Sequence, residues 1–108
     1  MNKHMTGKDI RDRITQLRLE KNLSEYDLSL RLGQSKGYIQ GITSGRSLPS
    51  MQMLLNICEF FDIEVSEFFE STLPSPATRE LRRELQDLSD EDLNCLIHIV
   101  KRMKGTDT

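Results

Sequence analysis

Apolar residues recur at helical spacing along nearly the whole chain. Ile10, Ile14 and Leu17 share one face of a first helix expected from about Lys8 to Lys21, with Arg11, Arg13, Arg18 and Lys21 elsewhere on its circumference. Asn22 suits the position that ends it. Ser24-Glu25-Tyr26-Asp27 reads as a capping box with Asp in place of the usual Glu, and Leu28 and Leu32 give the spacing of a short second helix ending at Gly33. Ser35 is a good N-cap for a third helix, running to Ser44 and stopped by Gly45, with Ile39 and Ile42 as its buried stripe. Ser50 caps a fourth helix whose apolar positions, Met51, Leu54, Leu55, Ile57, Cys58 and Phe61, form a broad face suited to the centre of a small bundle. After the turn Asp62-Ile63-Glu64, a fifth short helix from Val65 to Glu70 packs Phe68 or Phe69.

The pattern then changes. Ser71 to Pro76, STLPSP, reads as a linker, because two prolines among small polar residues do not continue a helix. Beyond it Leu81, Leu85 and Leu88 repeat at helical spacing. Ser89 caps a fresh start with acids in its first turn, and Leu93, Leu96, Ile97 and Val100 continue to Gly105. The expected organisation is a helical domain over residues 8–70, a linker over 71–76 and a C-terminal helix or helical hairpin over 77–104. The apolar stripe of that last segment needs cover, from the same domain or from a second copy of itself.

One feature of the third helix is a puzzle. Gly37 and Gly41 stand one turn apart in it, and each costs roughly 1 kcal/mol against Ala in a helix interior. What the bare face touches decides why they are there.

Composition narrows the class. The chain has 108 residues and 12.5 kDa, is 36% hydrophobic and 30% charged, and has no Trp and three Pro, which fits one helix-rich domain or a small domain with an appendage. No apolar run reaches the roughly 18 residues of a membrane span, and the start MNKHMTGKD lacks the apolar core of a signal peptide, so a cytoplasmic protein without membrane contact is expected. Cys58 and Cys95 lie in apolar helical patterns, where a free thiol acts as a small hydrophobe. Cys95 and His98 alone have ligand-like spacing, with no second pair to complete four-coordination, so neither metal nor cofactor is expected. No nucleophile, base or phosphate loop is assembled, which argues against an enzyme. Charge is uneven: residues 1–49 hold nine Lys/Arg against five Asp/Glu, a net +4, whereas residues 50–108 hold six against twelve, a net −6. The basic half suits a polyanion and the acidic half suits solvent or a protein partner.

The stretch "LRLEKNLSEYDLSLRLGQSKGYIQGITSGRSLPSMQMLLNICEFFDI" resembles the Cro/C1-type, or XRE, helix-turn-helix family of bacterial and phage regulators. Leu23-Ser24, Leu28, Leu32-Gly33, Ser35, Ile39, Gly45, a basic residue at 46, Pro49 and the ending DIEVSEFF all agree in spacing. The resemblance implies an all-α, five-helix lambda-repressor-like bundle followed by the C-terminal helical segment. It also implies that the helix 35–44 enters the major groove of double-stranded DNA while the start of the second helix, at Ser24, touches phosphate. Mapped onto this chain, Ser35, Lys36, Gly37, Gln40 and Gly41 face the groove, with Tyr38, Ser44 and Arg46 nearer the backbone. Lys36 is suited to guanine O6/N7, Gln40 to adenine N6/N7 and Arg46 to phosphate. With Gly37 and Gly41 bare, sequence choice is expected from Lys36, Gln40 and DNA shape, unless the smooth face receives a protein instead.

Two positions depart from the family pattern. Thr43 stands where an acid commonly pairs with the Arg at the position of Arg18, which frees Arg18 for phosphate, Glu20 or Asp27. Glu25 stands where Gln is frequent, and an acid there repels the DNA backbone. The resulting expectation is a repressor-type regulator that dimerises through Leu81, Leu85, Leu93, Leu96, Ile97 and Val100. The rival is a helix-turn-helix interaction module, antitoxin-like or anti-repressor, that binds a protein through its acidic C-terminal half.

Overall fold

In a computed structural model describing residues 5–106, all the regular structure is helical: α1 (Gly7–Glu20), α2 (Glu25–Arg31), α3 (Tyr38–Thr43), α4 (Met51–Phe60), α5 (Val65–Phe68), α6 (Pro76–Glu84) and α7 (Asp90–Lys104). Local chemistry sets most of the boundaries. Ser24, Ser50, Ser75 and Ser89 each accept from the backbone N–H three residues on, at 3.0, 3.1, 3.1 and 3.2 Å. A cap of this kind is worth about 1 kcal/mol. Thr6, one residue before α1, makes a reciprocal capping box with Asp9. At the other ends, Asn22 and Asp62 accept left-handed backbone at φ of 55° and 54°. The N–H groups of Asn22 and Leu23 turn back to the carbonyls of Leu19 and Arg18, and those of Asp62 and Ile63 to the carbonyls of Glu59 and Cys58. Ser75 and Pro76, which composition assigns to the linker, are instead the N-cap and first residue of α6, a position where Pro loses no hydrogen bond.

The chain divides into two compact units, Met1–Pro74 and Ser75–Thr108. In the first, Ile14 and Leu17 of α1, Leu28 of α2, Ile39 and Ile42 of α3, Ile57 of α4 and Phe68 of α5 are at most 1% exposed and form one core. Phe68, not Phe69, is the fully buried aromatic of α5, and Phe69 packs edge-on against it. The apolar face of α4 is narrower than the sequence suggests, since Met51 is 68% and Leu55 42% exposed.

Arg13 is buried at 5% exposure, contrary to its expected place on the polar side of α1. Its guanidinium donates to the carbonyls of Phe68 and Glu67, and to that of Glu70 at 2.9 Å, while Nε holds Gln16 Oε1 at 2.9 Å. The one-turn α5 leaves carbonyls unpaired, and a cation at a helix C-terminus satisfies them and opposes the dipole. Burial draws the Arg13 pKa below its ordinary value; the guanidinium keeps its charge because neutral Arg is inaccessible in a protein.

In the second unit α6 and α7 are joined by a turn with Asp87 in left-handed backbone, φ 67°. No residue of α7 is buried. Leu81 of α6, Leu85 at its C-cap, and Leu93, Leu96, Ile97 and Val100 of α7 line one apolar groove of about 560 Å³. Leu81, Ile97 and Val100 are about half exposed there.

Candidate nucleic-acid interface

The helix expected over residues 35–44 is shorter, Tyr38–Thr43, and the reason is a buried hydroxyl. Ser29 of α2 is fully buried; its Oγ donates to the Glu25 carbonyl at 2.8 Å and accepts from the backbone N–H of Ile39 at 3.0 Å. The cap of α3 therefore comes from the neighbouring helix, and the N-cap position itself falls on Gly37, which makes no side-chain cap bond. Ser35 is not the cap. Its carbonyl closes a turn by accepting from Tyr38 N at 3.0 Å, with Lys36 and Gly37 inside that turn. Gly37 thus carries no helix-interior cost, and only Gly41 remains a bare position within α3.

Ile39 and Ile42, both at 0% exposure, pin α3 to the core and fix which side faces out. On that outer side lie Gln40 and Ser44, exposed, with Gly41 half-buried; Ser35, Lys36 and Gly37 are exposed just ahead of the helix. Tyr38 is half-buried against the core, and burial pushes its hydroxyl pKa up. Ser24 is exposed at the start of α2, its Oγ engaged with Asp27 N. The first turn of α2 holds Glu25 and Asp27, so its N–H groups already face fixed negative charge.

The two departures at 25 and 43 are one substitution in physical terms. Thr43 Oγ1 donates to Glu25 Oε2 at 2.6 Å, so the acid missing from α3 is present on α2 and still ties the C-terminal end of α3 down. The Glu25 carboxylate is engaged with Thr43. Arg18 has a different acceptor from those expected: Nη1 donates to the Leu23 carbonyl at 2.8 Å, bracing the turn before α2, while its buried Nε–H has no partner among the described residues.

The turn after α3 is tightly wrapped. The Gly41 carbonyl accepts from Arg46 N at 3.1 Å, Ser47 N at 3.2 Å and Ser44 Oγ at 3.2 Å, and Gly45 N reaches the Ile42 carbonyl at 3.0 Å. This geometry requires left-handed backbone at Gly45, φ 91°, which a Cβ would strain. Arg11 of α1 donates to the Gly45 carbonyl at 3.4 Å from behind. At the front Arg46 Nη2 donates to Gln40 Oε1 at 2.8 Å. Arg46 is thus held on the outer side of α3, not turned away toward the flank. The pairing was not legible in the sequence, because Gln40 and Arg46 are six residues apart and meet only through the Gly45 turn.

Two short helices joined by a tight turn, the second clamped by its isoleucines so that a polar face with Lys36 and Arg46 beside it looks outward, define a DNA-binding helix-turn-helix protein. Residues 14–68 match the family model described as Helix-turn-helix, and that span is half of the chain. The chain belongs to this family, of the Cro/C1 or XRE type, and is a DNA-binding regulator. No curated protein matches it. Among the described residues no group of three or more His, Cys, Asp or Glu is arranged for a metal ion, and no helix is long and apolar enough to cross a membrane. Cys58 is a free buried thiol whose pKa burial pushes up to about 11, and Cys95 is free and exposed.

Proposed function

We propose that the protein is a cytoplasmic transcriptional repressor that binds an operator as a homodimer, with residues 8–70 as the DNA-binding domain and residues 77–104 as the dimerisation segment. The observation that carries the reading is α3 itself. Its apolar residues are wholly spent on the core, and what it offers outward is polar, small and flanked by Lys36 and Arg46. Such a surface suits a groove lined with acceptors and walled by phosphate. In this reading Ser35, Lys36 and Gln40 meet base edges, while Ser24, Tyr38 and Ser44 lie toward phosphate.

Self-pairing through α6 and α7 is supported by the exposed groove and by the charge pattern of α7. Its first turn is Asp90, Glu91 and Asp92 and its last carries Lys101, Arg102 and Lys104, so an antiparallel partner sets acid against base at both ends. Two modules held one DNA turn apart convert weak single contacts into useful affinity.

Selection from random-sequence duplex at two salt concentrations tests the proposal. The expected product is a palindrome with half-site centres about 10 base pairs apart and affinity that falls steeply with salt. A monomer by sedimentation at tens of micromolar, as expected of Ile97→Asp, removes the dimer if the unmodified protein shows it. Weak, unselective binding at low salt alone turns the reading to a protein-docking module that acts through its acidic C-terminal half.

A further inference from the structure

We infer that Arg46 is the base-reading side chain of this interface, recognising a guanine through O6 and N7, and that its guanidinium lies beside Gly41, in the space a longer side chain there would take. The inference deepens the DNA-binding reading and rests on it. It also revises the expectation that Arg46 clamps phosphate.

Three observations converge. A Cβ built on Gly41 would meet Ser47 Oγ at 3.7 Å and Arg46 Nη2 at 3.9 Å, ordinary van der Waals contact, so the loop's side chains already cover the space that a longer residue at 41 would fill. Arg46 Nη2 is tied to Gln40 Oε1 at 2.8 Å, which sets the guanidinium beside the exposed middle of α3. The backbone that carries Arg46 is itself fixed, by its own N–H and that of Ser47 on the Gly41 carbonyl and by Arg11 behind Gly45. Phosphate clamps tolerate long flexible arms, because charge alone attracts them. Base reading needs a fork whose direction is set before contact, and bidentate Arg on guanine is the commonest specific contact in the major groove. The Gln40 oxygen is engaged by Arg46, so Gln40 no longer offers the donor and acceptor pair that adenine needs; its role is to position Arg46, with its amide NH₂ left outward as a donor.

The space beside Gly41 is therefore bordered by the loop's side chains rather than open to a long one. A side chain of Ala size fits beside Arg46, whereas Leu at 41 occupies the guanidinium's place.

The test is selection of random duplexes by the full chain and by Arg46→Lys, Arg46→Ala, Gln40→Ala and Gly41→Leu, each first shown by thermal melting to be folded. The expected result is a guanine chosen at one position of each half-site by the unmodified protein. Arg46→Lys, which keeps the charge but loses the fork, should lower discrimination at that one position about tenfold or more with the salt slope unchanged. Gly41→Leu should lose the same preference, and Gln40→Ala should weaken it. If Arg46→Lys leaves every base preference intact, and Arg46→Ala lowers affinity uniformly and reduces the salt slope by about 1, Arg46 is a phosphate contact and the inference is overturned alone. If the unmodified protein selects no sequence at all, the inference fails together with the DNA-binding reading beneath it.

Discussion

Ser29→Ala removes one oxygen from a fully buried site. The hydroxyl bridges two backbone groups, the Glu25 carbonyl at 2.8 Å and the Ile39 N–H at 3.0 Å, and the two losses are unequal. The Glu25 carbonyl lies within α2, where the helix ladder still supplies a donor, so its share is a few tenths of a kcal/mol. The Ile39 N–H is among the first N–H groups of α3, which have no intrahelical acceptor, and Gly37 offers it no side chain. Leaving it buried and unpaired costs about 1–3 kcal/mol. A domain this size has about 5–10 kcal/mol of stability in all, so the variant should lose a sizeable part of it, with Tm lower by about 10 °C. Urea unfolding measures the free energy, and hydrogen exchange at the Ile39 amide locates it: protection there should fall further than at Ile57 in α4. The control is Ser66→Ala, an exposed serine of α5, which should change stability by less than about 0.5 kcal/mol. If Ser29→Ala unfolds within 0.5 kcal/mol of the parent and Ile39 stays protected, then Ile39 and Ile42 hold α3 unaided and the borrowed cap is incidental.

Further outcomes follow from the same contacts. Arg13→Met keeps much of the side-chain volume but takes the guanidinium donors from the carbonyls of Phe68 and Glu70, and should cost about 2–4 kcal/mol in urea unfolding. A double-mutant cycle of Glu25→Ala and Thr43→Val should give a coupling of about 0.5–1.5 kcal/mol, because the two side chains share one hydrogen bond, and no coupling would sever the proposed exchange of acid between α2 and α3. Cys58 ionises at about 11 in the fold against an ordinary 9.0. Below pH 9 both states keep the proton and stability is full; as pH rises from 9 to 11 the unfolded chain ionises first and stability is lost, by about 1.4 kcal/mol per unit from this group. Cys58→Ala should unfold with a correspondingly shallower slope over that window.

The helices of the first unit were legible where local chemistry decides. Ser24 and Ser50 announce their starts, Asn22, Gly33 and Gly45 their stops, and the isoleucine and leucine spacing gives their buried faces. The sequence misleads where a partner distant along the chain decides instead. Ser35 has the right chemistry for an N-cap, but Ser29 reaches Ile39 first from an adjacent helix, and no local pattern carries that information. Arg13 sits among other basic residues of α1 and looks solvated, because the carbonyls that hold it belong to α5. Gln40 and Arg46 were each legible as candidates, yet their mutual bond depends on the tight turn at Gly45, so the direction each side chain takes was not. In the second unit the six groove residues were legible from periodicity alone, since an amphipathic stripe does not need to know what covers it.

Arg13 and the carbonyls it holds are 54 to 57 residues apart in sequence, at opposite ends of the first unit. Most other contacts of this bundle are between neighbours along the chain and can form early, but this one closes the whole loop at once. A chain growing from its N-terminus has the guanidinium from the outset and gains the acceptors only when Glu70 has been added. Until then a cation destined for the interior must remain in water, and α1 cannot settle fully against its core. The chain must therefore extend to Glu70 before Arg13 has all three of its carbonyl acceptors.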